Sequence, residues 1–255
     1  MARGSEPPKI GKYDVISIDS KLTLRKKRYL STAFLHSAIY HAKAAREIEA
    51  EVRAREVPDR EFNTKKSGEY FHSIAASIVT CAMFVESTIN EILHDFMNNS
   101  GDAGSLASKD IRRVFSITGK RSLRLAATLE RYELLAEVLG VSPVTKGTDP
   151  YQSVKLLIEV RNGLVHYQPS DEVVFTSMSD VDTSQRFEDS FRSRNIQTNP
   201  FAPKASLYFP DRLLSVDLAF FFIDSATEFV SVYLDSISLS RKAQHVRAIA
   251  EKLDA

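Results

Sequence analysis

Three groupings in this chain have residue types at a spacing that could do chemistry. Two are Glu-x-x-His steps, Glu69 with His72 and Glu91 with His94, the spacing by which a helix offers a carboxylate and an imidazole to one metal ion. A shared metal needs those steps on facing helices. Both fall within one predicted helix, 22 positions apart, which is about 33 Å at the α-helical rise. They are expected to be polar positions near the two ends of a core helix, and no metal and no other cofactor is expected. Phosphate-loop chemistry is excluded too. Gly119 and Lys120 are adjacent, but no glycine stands five residues before Gly119 and no Ser or Thr follows Lys120.

The third grouping lies in residues 155–169, KLLIEVRNGLVHYQP. On a helix, Val154, Leu157, Ile158, Leu164 and Val165 share one apolar arc, which Leu156, Val160 and Tyr167 extend, and Arg161 falls in its middle. A guanidinium cannot shed its charge there, so it needs a carboxylate, a phosphate or a subunit interface. Glu86, set among Val79, Met83 and Phe84, is the in-chain carboxylate expected to pair with it. The opposite, narrower strip carries Lys155, Glu159, Asn162 and His166, the last two one turn apart. Arg161 and His166 are about 140° apart on an ideal helix. They converge on one small site only if a two-fold partner brings two motifs together or if the helix loosens at Gly163.

These residues need a helical scaffold, and the sequence predicts one. Residues 21–56 lack Gly and Pro and carry apolar residues at helical spacing, and Pro58 stops the run. A long apolar helix is predicted over 69–97 after Gly68. An amphipathic helix over 121–139 ends on Gly140 as its C-cap, and a short one follows over 151–167. Two more are predicted over 213–237 and 240–253. The stretch 213–234 is apolar enough to raise a membrane question, but Asp217, Asp224 and Glu228 make it a buried helix and no membrane partner is expected. Residues 170–210, rich in Asp, Ser, Asn and Pro, read as an irregular insertion. With no repeat and no alternating strand pattern, the fold class is all-α. The first eleven residues read as a disordered leader ahead of one domain spanning 12–255.

The 255 residues carry 34 Lys and Arg against 33 Asp and Glu, so no strong global field draws the chain to nucleic acid or to an anionic membrane. Basic contacts must be local, at Lys21, Arg25, Lys26, Lys27 and Arg28 or between Arg112 and Arg124. The single cysteine, Cys81, excludes an internal disulfide and points to a reducing compartment, here read as cytoplasmic.

The string Arg161-Asn162-Gly163-Leu164-Val165-His166 has the Arg, four residues, then His arrangement with Asn directly after the Arg, and in this it resembles the HEPN superfamily (higher eukaryotes and prokaryotes nucleotide-binding domains). The run SIAASIVTCAMFVESTINEIL over 73–93 is similar to the helix before the motif helix in bacterial HEPN-like proteins, with Glu86 and Asn90 at its polar positions. The resemblance spans about 68–168 and the helix near 213–237. It implies a HEPN-like helical bundle that pairs as a homodimer with the two motifs facing. It also implies metal-independent ribonuclease activity of the toxin–antitoxin or phage-defence kind, with RNA as substrate and an antitoxin or other protein as a further partner. In that reading Arg161 holds the phosphate and steadies developing charge, His166 shuttles protons, and Asn162 supports them. Tyr167 follows the His directly, where toxin members often carry a Tyr two residues on.

Some HEPN domains keep the motif and act as nucleotide- or protein-binding modules. The two readings separate on geometry. The nuclease predicts His166 beside an Arg161 in an open basic cleft; the module predicts Arg161 held in a salt bridge with Glu86 and the His facing solvent or another protein.

Overall fold

The structure, a computed structural model, describes residues 13–18, 21–26, 29–54, 60–106, 126–142, 146–166, 178–203 and 206–251, with side-chain surroundings from residue 29 onward except at 60–63 and 178–183. The chain divides into two compact units, Met1–Leu30 and Ser31–Ala255. The eleven-residue leader lies outside the described residues.

The first unit holds an antiparallel hairpin of β1 (Tyr13–Ile18) and β2 (Lys21–Lys26), in register from Tyr13 opposite Lys26 to Ile18 opposite Lys21. The described residues are overwhelmingly helical, as the all-α fold class expects, and the hairpin corrects only the expectation that Lys21, Arg25 and Lys26 open the first helix. The reason is local. Leu22 and Leu24 alternate with Lys21, Thr23 and Arg25, and Val15, Ile16 and Ile18 are β-branched residues that suit a pleated surface. The absence of Gly and Pro masked that two-residue period. Lys27, Arg28 and the Arg112–Arg124 cluster lie outside the described residues.

The second unit is all-α. Helix α1 (Ser31–Arg53) runs antiparallel to α2 (Arg60–Asn98): Ser31 meets Glu91 at one end and Glu49 meets the Tyr70 hydroxyl at the other. Helix α2 starts upstream of the expected residue 69 and runs straight through Gly68. After a short 3-10 turn (Asp102–Ser105) come α3 (Thr128–Leu139), α4 (Asp149–Val165), α5 (Met178–Phe191), a single wide turn over Tyr208–Arg212, α6 (Val216–Ser236) and α7 (Ser240–Ala250). Helix α3 starts at Thr128 after Ala127 as its N-cap, residues 121–125 of the expected helix lie outside the described residues, and Gly140 closes it in the left-handed conformation expected of a C-cap (φ 66°).

The core lies where α2 and α6 meet the other helices. Ile78, Phe84, Val85 and Ile89 of α2 and Phe222, Ile223, Phe229 and Val230 of α6 are buried. Tyrosines supply directional ties. Tyr132 Oη donates to the Val85 carbonyl at 2.7 Å and Tyr233 Oη to the Tyr132 carbonyl at 3.1 Å, while Tyr70 Oη accepts from the Val216 amide at 3.0 Å. Cys81 is buried against the Phe222 carbonyl (3.5 Å), and burial pushes its thiol well above the ordinary range, so it serves packing rather than reactivity. Among the described residues one helix, over Thr64–Asn98, is long and apolar enough to cross a membrane, and half of its apolar window is buried inside the protein. It is this helix, and not the 213–234 stretch, that passes that test.

The insertion read as irregular contains a 14-residue helix, α5. Its sequence, MSDVDTSQRFEDSF, is polar enough to pass for loop, yet Phe187 and Phe191 stand four apart and are both buried, so a two-residue stripe docks the helix.

Candidate functional site

Helix α4 carries the Arg-x4-His segment. It opens with Pro150 in its first turn and buries Tyr151, Ser153, Val154, Leu157 and Val160. That stripe is narrower than the predicted arc: Val165 is exposed, and Arg161 lies at the stripe's edge rather than in its middle. The helix stays regular through Gly163. It runs to Val165, and the His166 amide donates to the Asn162 carbonyl at 2.9 Å as C-cap. Loosening at Gly163 is therefore corrected, and Arg161 and His166 diverge by about 140° around one axis.

Gly163 has a different reason to be there. A β-carbon on it would meet Phe209 Cζ at 2.9 Å, because the Phe209 ring lies against the helix backbone at this point. Phe209 in turn packs on Phe187 of α5 with ring centroids 4.8 Å apart, and its amide donates to Ser184 Oγ at 3.2 Å. Two ion pairs continue the contact along α4: Arg186 with Glu159 at 3.7 Å, and Arg194 with Asp149 at 2.8 Å. Arg194 also donates to Ser153 Oγ at 3.0 Å. Its hydrogen bond holds the Asp149 carboxyl below the ordinary value of 3.8. The described part of the insertion thus runs along the motif helix from its first turn to its last.

Arg161 and Glu86 come together as the sequence suggests. Arg161 Nη2 is 3.3 Å from Glu86 Oε2. A third residue, which the sequence reading did not single out, completes the group: Arg131 of α3 places Nη1 3.8 Å from Glu86 Oε1. Arg131 is itself held by Asn90, whose Oδ1 accepts from Nη1 at 2.8 Å, and by the Ala126 carbonyl, which accepts from Nε at 3.1 Å. The side chains of Arg131, Arg161 and Glu86 are 18%, 21% and 37% exposed. The cluster therefore sits at the surface with the carboxylate outermost. The Nε of Arg161 is buried and has no hydrogen-bond partner. Arg131 was findable: Leu134 and Leu135, three and four residues on, put it at the margin of an apolar face, as with Arg161.

His166 and Asn162 stand on the exposed strip of α4, and neither side chain has a hydrogen-bond partner among the described residues. The structure joins Arg161 to Glu86 and leaves His166 and Asn162 together on a separate face. Of the Glu-x-x-His steps, Glu91 accepts from the Ser31 amide at 2.9 Å and hydroxyl at 2.7 Å, and Glu69 is paired with Lys66 at 3.1 Å. No group of three or more His, Cys, Asp or Glu placed to hold a metal occurs among the described residues. No family model, curated protein or solved structure matches the chain.

Proposed function

We propose that this chain is a HEPN-like nucleotide-binding module that takes RNA or a free nucleotide by its phosphate at the Arg161 end of α4, and that one protomer alone does not cut RNA. The observation that carries the reading is the 3.3 Å pairing of Arg161 with Glu86 while His166 sits about 140° away on a regular helix. A metal-free cleavage site needs its proton shuttle within hydrogen-bond reach of the ribose hydroxyl or leaving oxygen whose phosphate the cation holds. In one protomer these two groups serve different faces. Phosphate binding needs only the cation, and a guanidinium fork suits a phosphate well.

The test is fluorescence anisotropy of a labelled single-stranded RNA, with a nucleoside monophosphate as competitor, on wild type and Arg161→Gln. Binding that weakens by about tenfold or more in the variant supports the reading, since a charge-assisted contact is worth about 1.5–3 kcal/mol. Binding of RNA and nucleotide that is unchanged in Arg161→Gln contradicts it.

A second reading is favoured by the exposed His166–Asn162 strip. A homodimer could set one protomer's His166 beside its partner's Arg161 and so assemble a metal-independent ribonuclease of the toxin or phage-defence kind. Cleavage that rises with protein concentration through the dimerisation range would select it.

A further inference from the structure

Two guanidiniums from different helices share one carboxylate in the α2–α3–α4 cluster, leaving a net charge of one positive unit, and the sharing is loose. A seated charge-assisted hydrogen bond is about 2.7–2.9 Å long, whereas Glu86 lies 3.3 Å from Arg161 and 3.8 Å from Arg131. Arg161 keeps a buried Nε with no partner, so its donors are not all used. Arg131 does not depend on Glu86 alone for its position, because Asn90 and the Ala126 carbonyl also accept hydrogen bonds from it. Glu86 is the most exposed of the three and can swing outward into water. Its departure would leave two guanidiniums, from α3 and α4, with two positive charges and no carboxylate between them, the Arg131 fork still held by Asn90 and the Ala126 carbonyl. A phosphate group, with several acceptor oxygens and one or two negative charges, matches that arrangement better than a single carboxylate does.

We infer that Arg131 and Arg161 form a two-arginine phosphate clamp and that Glu86 is its displaceable occupant, a built-in competitor that an incoming phosphate must expel. The clamp rests on the reading of this face as a nucleotide site and adds to it a second binding residue and a self-competing carboxylate. The ligand chemistry is a phosphate group, whether the monoester of a free nucleotide or the diester of RNA.

The experiment uses the full chain with two probes, orthophosphate and a labelled single-stranded RNA, at fixed ionic strength set with chloride. Thermal shift and ³¹P line broadening read phosphate; anisotropy reads RNA. Glu86→Gln, close in shape but uncharged, should tighten binding by about tenfold, and Arg131→Gln should weaken it about as much as Arg161→Gln does. Arg131→Lys, which keeps the charge and loses the fork, should fall between Arg131→Gln and wild type. If Glu86→Gln does not fold, Arg131→Gln, which leaves Glu86 paired with Arg161, carries the test alone. Equal or weaker binding by folded Glu86→Gln overturns the clamp, as does wild-type binding by Arg131→Gln. RNA binding that depends on Arg161 but ignores Arg131 and Glu86 sinks the clamp and spares the proposed function. Phosphate binding tightened by Glu86→Gln without RNA binding keeps the clamp, with a free nucleotide as its ligand. No phosphate or RNA binding by any variant overturns both.

Discussion

At the scale of single residues, a guanidinium beside an apolar stripe is informative because it cannot be neutralised and so must declare a partner. Arg161 declares Glu86, and that pairing was legible from the sequence because Glu86 stands among Val79, Met83 and Phe84 on the long apolar helix, where a carboxylate also calls for a partner. Arg131 was less legible: Leu134 and Leu135 mark it as a cation at the margin of an apolar face, but nothing in that spacing names Glu86 as a partner it shares with Arg161. Because both cations lean on Glu86, a double-mutant cycle of Glu86→Gln and Arg161→Gln should give a coupling below about 1 kcal/mol, as for partly exposed pairs. A coupling of several kcal/mol, measured by denaturant unfolding, would mean a far tighter pair than 3.3 Å implies. Gly163 carries a second prediction. Alanine there gains helix propensity, worth up to about 1 kcal/mol, but its β-carbon would press on Phe209 Cζ at 2.9 Å inside a packed ring pair. Gly163→Ala should therefore destabilise by about 1–2 kcal/mol net, and a stabilised variant would show that Phe209 yields freely.

At the scale of elements, helices with a long apolar period were legible and those with a short or mixed period were not. The sequence places α2, α4, α6 and α7 to within a few residues at most of their ends. Helix α5 escaped because its docking stripe is two phenylalanines in an otherwise polar segment, and β2 escaped because a helical composition covers an alternating pattern. Once seen, α5 has consequences. Phe191→Ala should cost about 3–5 kcal/mol and loosen the insertion from the motif helix, read as earlier proteolytic cleavage within the insertion than elsewhere. Cleavage spread evenly along the chain would deny α5 that docking role. The Arg194–Asp149 tie gives a pH dependence. The folded carboxyl sits below its ordinary 3.8 because Arg194 hydrogen-bonds it, so this contribution is present above that value and is lost as pH falls through the lower folded one. It is small, since the carboxylate is largely exposed and screened. The melting temperatures of wild type and Arg194→Gln should differ at neutral pH and converge in strong acid; a gap that widens on acidification would contradict the assignment.

At the scale of the whole molecule, the helical unit sets three helices behind one exposed carboxylate and leaves the motif histidine on another face. Helix α2 is fixed by its packing on α1 and α6, α3 by the Tyr132 and Tyr233 ties, and α4 by the insertion laid along it. Arg131, Arg161 and Glu86 all lie on helices and none in a loop, so the proposed phosphate contacts would come from regular elements. The arrangement of Arg131, Glu86 and Arg161 is a property of the bundle that no short motif reports, because its members lie 45 and 30 positions apart in the chain.

The most direct measurement is incubation of the purified protein with mixed RNA in chelator, with wild type and His166→Ala compared and bound and cleaved RNA read in the same sample. RNA is expected to be cut by neither protein, and whatever RNA is retained is expected to be retained equally by both. Cleavage by wild type that His166→Ala abolishes, leaving cyclic phosphate ends, would contradict this and make the chain a metal-independent ribonuclease.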